Sequence, residues 1–337
     1  MIKVNNLCKK YGQHVALEDV SFTIESGHVY GLLGPNGAGK STTMNILTGC
    51  LAATSGEVSI AGFDIYEDNI KAKSLIGYLP EQPPLYQDMT TWEYLDFVAE
   101  AKGVKKEFRK KQIEEVMEET GTANVRDRII KHLSKGYKQR VGIAQALLGE
   151  PEVIILDEPT VGLDPRQIIE IRDLIKELGK NHTVILSSHI LSEVRSICDY
   201  IMIISKGKLV ASDTPDNLEK IFAGNATVEL LVKGRDTEIQ AVLSEFDEIT
   251  GTTYSAGPVG EGLDDTTWVS IKTAEKEDIC EKLFYKFAEK KMAIVRMNVS
   301  KANLEDIFLE LTQDDKPAAE ESAAEEPAKE DEDDSNI

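Results

Sequence analysis

The segment with the most specific chemistry in this sequence is a glycine-rich run, Gly34-Pro35-Asn36-Gly37-Ala38-Gly39-Lys40-Ser41. It matches the phosphate-binding pattern GxxxxGK(S/T) at every defined position. Glycines let backbone N–H groups turn inward around phosphate oxygens, and a following helix directs its positive end at them. We therefore predict that this run and the adjoining Thr42 hold the phosphates of a nucleotide, with Lys40 on the β- and γ-phosphates and Ser41 on Mg²⁺.

Two adjacent carboxylates are the next candidates for catalysis. Asp157 and Glu158 follow an apolar run at 153–156 that has the length of a buried strand. In phosphoryl transfer, Asp157 would hold Mg²⁺ through its water shell, and Glu158 would orient or deprotonate the attacking water. Asp157 comes 117 residues after Lys40, so the fold has to bring the two segments together.

The elements around these segments alternate between strands and helices. The predicted strands are two short ones within 1–24, followed by 29–33, 56–62, 153–156 and 183–186. We predict a helix at about 39–48 and helical structure from 91 to about 120, with Trp92 and Tyr94 in the core. Alternation of this kind is typical of an α/β fold with a largely parallel sheet and helices on its faces.

A second pattern begins after about residue 222. The predicted elements are strands at 226–233, 267–272 and 292–299, and helices at 237–245, 278–290 and 303–311. They fit a small α+β unit, for which βαββαβ is one arrangement. Residues 314–337 contain 11 acidic residues and two lysines, a net charge of −9. We expect this acidic tail to be disordered.

Four more segments occur in an order that narrows the class. They are Lys9-Lys10-Tyr11-Gly12, Leu133-Ser134-Lys135-Gly136-Tyr137, Pro159-Thr160-Val161-Gly162-Leu163-Asp164 and Leu186-Ser187-Ser188-His189. With the glycine-rich run and the two carboxylates, they make residues 1 to about 220 resemble the ATP-binding cassette (ABC) ATPases. The segment around Ser134 resembles the ABC signature, usually written LSGGQ, and comes 23 residues before Asp157.

The resemblance implies ATP as the nucleotide and assigns further roles. Tyr11 would stack on adenine, and His189 would contact the γ-phosphate as the switch histidine. Ser134 and Gly136 would contact the γ-phosphate from the signature, and Asp164 would be the acid of the family's D-loop.

Two segments depart from the family pattern. The signature has Lys135 and Tyr137 where glycine and glutamine are usual. In the Q-loop, the usual glutamine position after Pro80 holds Glu81, and Gln82 comes one residue later. Either side chain could supply an oxygen to Mg²⁺ or water. The family's usual amide favours Gln82, and the assignment stays open.

The resemblance also implies an organisation and partners. The signature, the Q-loop and the segment 302–311 resemble ATPases of bacterial exporters for drugs, polysaccharides and peptides, and of the gliding-motility type. In such systems the permease is a separate membrane chain, and two cassettes, identical or different, hold ATP between them. We predict an ABC ATPase domain at 1–221 with a helical subdomain at about 83–133, an accessory domain at 222–313 and the acidic tail.

Composition agrees with such a subunit. The formal charge of −21 leaves −12 for residues 1–313 once the tail's −9 is subtracted, so nucleic acid is not an expected partner. The four cysteines lie far apart, and the sequence has neither an apolar run of membrane-spanning length nor a secretory signal. We expect a cytoplasmic protein, bound to the inner face of the membrane through the permease.

Two other functions fit the sequence less well: an ABC ATPase that acts on ribosomes or chromosomes, and a regulatory subunit. An ABC ATPase acting on ribosomes would carry two cassettes, and one acting on chromosomes would need a long coiled coil within the 117 residues that separate Lys40 from Asp157. A regulatory subunit that binds ATP without turnover would not need both Glu158 and His189. The sequence favours the transporter subunit over both.

Overall fold

The computed structural model describes residues 1–222, 226–246, 248–257, 265–273 and 279–300. Its strands are β1 (Ile2–Tyr11), β2 (His14–Ile24), β3 (Val29–Leu33), β4 (Ser55–Ile60), β5 (Phe63–Asp64), β6 (Ile76–Leu79), β7 (Val153–Leu156), β8 (Thr183–Ser188), β9 (Tyr200–Ser205), β10 (Lys208–Asp213), β11 (Ala226–Lys233), β12 (Ile249–Ala256), β13 (Thr266–Thr273) and β14 (Ile294–Ser300). Its helices are α1 (Lys40–Leu47), α2 (Asn69–Ser74), α3 (Thr91–Ala101), α4 (Lys106–Glu119), α5 (Lys135–Leu147), α6 (Pro165–Leu178), α7 (Leu191–Ile197), α8 (Pro215–Phe222), α9 (Asp236–Leu243) and α10 (Cys280–Glu289).

A six-stranded sheet in the order β10-β9-β3-β8-β7-β6 is the framework of the chain's first part. Neighbouring strands are parallel from β9 to β6, and β10 adds an antiparallel edge. Every residue of β3, β7 and β8 is buried, which explains why these strands are recognisable as continuous apolar runs. The predicted, largely parallel sheet is confirmed.

Strand order brings the loops that contain predicted site residues together. Because β3, β8, β7 and β6 are parallel neighbours, their carboxyl ends lie along one edge of the sheet. The glycine-rich run follows β3, Glu158 comes after β7, His189 after β8 and Glu81 after β6. Segments up to 149 residues apart, from Lys40 to His189, therefore meet at this edge.

Helices and a second sheet cover the two faces of the parallel sheet. On β7, Ile154 and Leu156 pack in a hydrophobic cluster with α5 and α6, whereas Val153 and Ile155 pack with β1, β2 and α1. The second sheet, β2-β1-β4-β5, is antiparallel. The alternation of side chains along β7 therefore joins both layers to one central sheet.

The helical stretch predicted from 91 to about 120 is divided in two. Gly103 has φ of 76°, a left-handed conformation that ends α3 and starts the turn into α4. Lys102, beside it, donates to the carbonyl oxygens of Gln145, Ala146 and Leu148 at 2.8–2.9 Å and so ties α3 to the carboxyl end of α5.

The aromatic residues of α3 agree with the predicted core. Tyr94 is buried in the cluster with α5, and the half-buried Trp92 packs against that cluster. The guanidinium carbon of Arg126 lies 3.7 Å from the centroid of the Trp92 ring.

The elements after residue 225 form a third sheet, β12-β13-β11-β14, which is antiparallel throughout. With α9 and α10 they follow the βαββαβ order, although β12 was not predicted as a strand. Their hydrophobic cluster, which includes Leu230, Leu283 and Phe287, contains no described residue before 228. The predicted helix at 303–311 and the tail at 314–337 lie outside the described residues, and the division into domains stays a prediction.

Within the described ranges, no helix combines the length and the apolar character needed to cross a membrane.

Candidate ATP-binding and hydrolysis site

The glycine-rich loop between β3 and α1 forms one wall of a cleft of about 440 Å³. Gly37 and Gly39 have φ of 81° and 110°, which are left-handed conformations that favour glycine. A Cβ at Gly39 would also come within 2.9 Å of the Ala16 carbonyl oxygen. The loop therefore requires both glycines, and it leaves the N–H groups at the start of α1 without a side-chain cap.

Residues from five segments of the chain line the cleft. They are Tyr11, His14, Ala16, Pro35, Asn36, Gly37, Gly39, Lys40, Ser41, Thr42, Glu81, Glu158, Val161 and His189. The structure therefore brings together most of the residues predicted for the nucleotide. Gly34 and Ala38 do not line the cleft, because both are buried in the loop.

Sequence reasoning missed His14, Ala16 and Val161 as lining residues. His14 pairs with Tyr11 across the Gly12 turn of the β1–β2 hairpin, so the hairpin pattern contained a signal for it. The aromatic ring of Tyr11 is exposed, with the Lys9 ammonium 5.0 Å from its centroid. An exposed ring at the rim of the cleft is suited to stacking on a base.

Lys40 is held at the base of the loop. Its side chain is only 6% exposed, and Nζ donates to the carbonyl oxygens of Gly34 at 2.7 Å and Pro35 at 3.2 Å. The same Nζ lies 3.6 Å from Oε1 of Glu158. The ammonium is thus positioned between the glycine-rich loop and the carboxylate of Glu158.

Asp157 lies behind the cleft rather than in its wall. Its Oδ1 accepts hydrogen bonds from Ser187 Oγ at 2.6 Å and Ser41 Oγ at 3.4 Å. Burial and the nearby charge of Asp157 raise the pKa of Tyr78 above its ordinary value. One carboxylate and one hydroxyl are hard oxygen donors of the kind that Mg²⁺ takes from a protein when phosphates supply other ligands.

Asp157 and Ser41 supply fewer donors than a metal site built from protein side chains alone would need. In the part of the chain that the structure describes, no three His, Cys, Asp or Glu side chains are grouped to hold a metal. A magnesium ion bound mainly by nucleotide phosphates does not need such a group, so Ser41 and Asp157 fit it.

Ser187 orients both carboxylate residues and was missed by sequence reasoning. Besides its bond to Asp157, Ser187 Oγ accepts a hydrogen bond from the backbone N–H of Glu158 at 2.8 Å. Ser187 is fully buried in β8. Its position two residues before His189 was the available signal, since it places this hydroxyl at the sheet edge where β7 also ends.

Glu158 and His189, the residues predicted for hydrolysis, contact each other in the cleft. Glu158 Oε2 and His189 Nδ1 are 2.9 Å apart, and Glu158 is 8% exposed. Glu158 has φ of 48°, a left-handed conformation that is costly for a residue with a Cβ. A buried carboxylate held between an ammonium and an imidazole can orient a water for attack on a phosphate.

The two Q-loop candidates differ in position. Glu81 lines the cleft, and Gln82 is not among its lining residues, although both side chains are exposed. The geometry therefore favours Glu81, whereas the family pattern favoured Gln82.

We expect Glu81→Ala to lower Mg²⁺-dependent ATP hydrolysis by at least about tenfold, because it removes an oxygen from the cleft wall. Gln82→Ala is the matched control and should stay within about threefold of the unmodified protein. Steady-state hydrolysis across a Mg²⁺ titration measures both variants. If Gln82→Ala is the slower variant, the amide performs the role and the preference for Glu81 is wrong.

Three predicted nucleotide residues lie in a different cavity. Ser134, Gly136 and Asp164 line a cavity of about 380 Å³ that shares no lining residue with the first. Ser134 caps α5 by accepting from the N–H of Tyr137 at 3.4 Å, and Asp164 caps α6 by accepting from the N–H of Gln167 at 2.9 Å. The signature therefore forms a separate surface at two helix N-termini.

A glycine-rich loop, two carboxylates and a histidine at the carboxyl ends of adjacent parallel strands, together with a separate signature surface, define a P-loop ATPase of the ABC class.

Comparison with known proteins gives the same class. The profile of the ABC transporter family matches residues 17–161. The chain is similar to the linearmycin resistance ATP-binding protein LnrL of Bacillus subtilis, with 32% identity over 314 residues, 93% of this chain and 98% of that protein. It is also similar to the bacitracin transport ATP-binding protein BcrA of Bacillus licheniformis, with 34% identity over 313 residues, 92% of this chain and 97% of the relative.

A solved structure is similar over about two thirds of the chain. The ATP-binding cassette MJ0796, a dimer in a post-hydrolysis state bound to ADP and Pi, is 28% identical with a TM-score of 0.57. The match covers 64% of this chain and 98% of that one. The chain belongs to the family of ABC transporter ATP-binding proteins, as its motifs predicted, and it is an ATPase.

Proposed function

We propose that this chain is the motor subunit of an ABC exporter, in which two cassettes close around ATP and drive a separate membrane permease. The pairing of two cassettes is supported by one observation: the phosphate-binding loop and the signature line two separate cavities. Lys40 and Glu158 line one cavity, and Ser134 lines another with no residue in common. A signature that does not reach its own phosphate loop is suited to the phosphates held by a second cassette.

The residues of the first cavity take distinct roles in this proposal. Lys40 binds the β- and γ-phosphates, and Tyr11 stacks on the adenine. Ser41 and Asp157 hold Mg²⁺, which when bound neutralises charge on the phosphate oxygens.

Hydrolysis in the proposal depends on Glu158 and His189. Glu158 orients the attacking water and takes its proton, and His189 steadies this carboxylate while facing the γ-phosphate. The second cassette, a copy of this chain or a related one, contributes Ser134 and Gly136. ATP binding favours the closed pair and hydrolysis releases it, so the chemistry shifts the population between two states.

An exposed aromatic cluster supports a permease partner. Tyr86 and Phe97 are 49% and 45% exposed, and their ring centroids are 5.2 Å apart. Tyr86 also contacts the buried Tyr94 ring edge-on, with centroids 6.1 Å apart. Paired aromatic rings anchored to a core are typical of protein contact sites. Tyr86 comes five residues after Glu81, so a partner here lies close to the nucleotide cleft.

The relatives support export and a place at the membrane. The two relatives compared above, which match more than nine-tenths of this chain, are named for linearmycin resistance and bacitracin transport. By analogy, we propose that this protein acts at the cytoplasmic face of the membrane in the export of a similar compound. Its charge of −21 disfavours a nucleic-acid partner.

The aromatic cluster gives the test of the transporter assignment. For the double variant Tyr86→Asp/Phe97→Asp, the amount of protein that sediments with membranes from the producing cells should fall at least about fivefold, because charge replaces the apolar contact. Its basal ATPase should be unchanged. Phe108→Asp, which alters another exposed aromatic side chain, is the matched control and should sediment like the unmodified protein.

Vesicles of lipid alone complete this experiment. Equal sedimentation of the double variant and the unmodified protein would contradict the proposed contact. If the unmodified protein binds vesicles of lipid alone as strongly as it binds the cell membranes, the contact does not need a protein partner and the proposal is contradicted.

A further inference from the structure

A buried carboxylate outside the ATP cleft connects the two hydrolytic loops. Glu193, on α7, is 3% exposed and does not line the cleft. Its Oε2 accepts hydrogen bonds from Thr160 Oγ1 at 2.6 Å and Ser188 Oγ at 3.4 Å, and its Oε1 lies 3.6 Å from the guanidinium of Arg172. Burying a carboxylate is costly unless its oxygens are paired, and here both oxygens have partners.

The partners of Glu193 are neighbours of the hydrolytic pair along the chain. Thr160 comes two residues after Glu158, and Ser188 immediately precedes His189. Ser188 Oγ also accepts from the N–H of Ile190 at 3.0 Å, which holds the turn that contains the histidine. The two segments are therefore joined at the cleft by the Glu158–His189 contact, at the strand ends by Ser187, and behind the cleft by the carboxylate of Glu193.

Arg172 extends this connection to α6. The helix begins at its cap residue Asp164, which lines the signature cavity, and Arg172 lies two turns further along. The Nε of Arg172 is buried and has no hydrogen-bond partner in the described part of the chain. The guanidinium, on a side chain that is 25% exposed, faces the buried carboxylate of Glu193, so it supplies the opposite charge that this carboxylate needs.

We propose that Glu193 is a positioning residue for ATP hydrolysis. It sets the spacing between Glu158 and His189, and through Arg172 it ties that pair to the helix that starts at the signature cavity. This inference rests on the proposed roles of Glu158 and His189 in hydrolysis. It predicts that loss of the Glu193 contacts slows turnover without weakening ATP binding, since no phosphate or base contact is removed.

The test uses pairs of variants that differ in one contact. Thr160→Val keeps the shape of the side chain and removes the hydroxyl, so kcat should fall about tenfold while KM for ATP stays within about threefold. Thr160→Ser returns the hydroxyl and should restore kcat to within about twofold. Glu193→Gln keeps an acceptor for Thr160 but loses the charge facing Arg172, and kcat should again fall about tenfold.

Binding and coupling measurements separate positioning from general damage. A fluorescent ATP analogue should bind all three single variants within about threefold of the unmodified protein. Thr160→Val/Glu193→Gln should be no more than about twofold slower than the slower single variant, because both changes break one connection. Thermal unfolding is recorded for each variant.

Two results overturn the proposal. One is kcat within twofold of the unmodified protein for both Thr160→Val and Glu193→Gln. The other is a parallel loss of kcat, ATP binding and thermal stability that Thr160→Ser does not restore, which would indicate a purely structural role. Failure of the proposed hydrolytic roles is distinguishable, because Glu158→Gln would then turn over as fast as the unmodified protein and the inference would fall with it.

Discussion

Glu158→Gln lowers the turnover of ATP by at least about a hundredfold and leaves the affinity for ATP nearly unchanged. The amide has the size of the carboxylate but is a poor base, so the water is no longer deprotonated or correctly held. The cradle of Gly37, Gly39 and Lys40 is untouched by the change. Steady-state hydrolysis and fluorescent nucleotide binding are the measurements.

This variant should also accumulate an ATP-bound dimer, because the step that reopens the pair is blocked. Light scattering coupled to size exclusion, with and without ATP, detects such a dimer. The matched control is Glu152→Gln, an exposed position before the same strand β7. Turnover of Glu158→Gln within threefold of the unmodified protein would remove Glu158 from the proposed catalytic role.

Lys40→Ala and Ser134→Arg are each expected to be inactive alone, with less than about a tenth of normal hydrolysis. The first loses the ammonium that faces the phosphates. The second places a long charged side chain in the signature cavity and hinders closure of two cassettes. ATP binding should survive in Ser134→Arg, because its own phosphate loop is intact.

Mixing the two purified variants should recover part of the ATP-dependent dimerisation. In a mixed pair, one site combines the intact phosphate loop of the Ser134→Arg chain with the intact signature of the Lys40→Ala chain. The other site combines two damaged halves. Hydrolysis recovers as well if one intact site is sufficient for turnover. If the two sites must act together, hydrolysis stays low, and dimerisation is therefore the more direct measurement.

Exchange of subunits has to be demonstrated in the same mixture, for example by energy transfer between labelled chains. If the labelled subunits exchange and neither signal recovers, two copies of this chain do not share their sites. The second cassette would then be a different protein.

Much of the central architecture was predictable from the sequence because it depends on local constraints. β3 and β7 are short, wholly buried parallel strands, and such strands require continuous apolar runs. The glycine-rich loop needs glycine at 37 and 39 for its backbone conformation, so its pattern is restrictive. For the same reason the segments that meet at this edge of the sheet were predicted individually, whereas their meeting point became known only from the strand order.

Other features depend on contacts between distant segments, which a single sequence does not encode locally. Ser187 and Glu193 act on residues about 30 positions away. Ser187 lies within the segment that contains His189, but that segment does not reveal its bonds to Asp157 and Glu158, and Glu193 belongs to no local pattern that marks it. β12 reads Ile-Thr-Gly-Thr-Thr-Tyr-Ser-Ala, which lacks the apolar alternation of a half-buried strand. The choice between Glu81 and Gln82 depends on which of two adjacent side chains the loop directs into the cleft. A sequence pattern does not determine the path of a loop that closely.

The left-handed backbone of Glu158 has a consequence for the molecule's stability. A non-glycine residue at φ of 48° is held there by its surroundings, among them the bond from its N–H to Ser187, at a cost of about 1–2 kcal/mol. A glycine would relax at this position but would abolish the carboxylate. The chain therefore exchanges some free energy of unfolding for the orientation of one side chain, and selection for heat resistance alone would act against its activity.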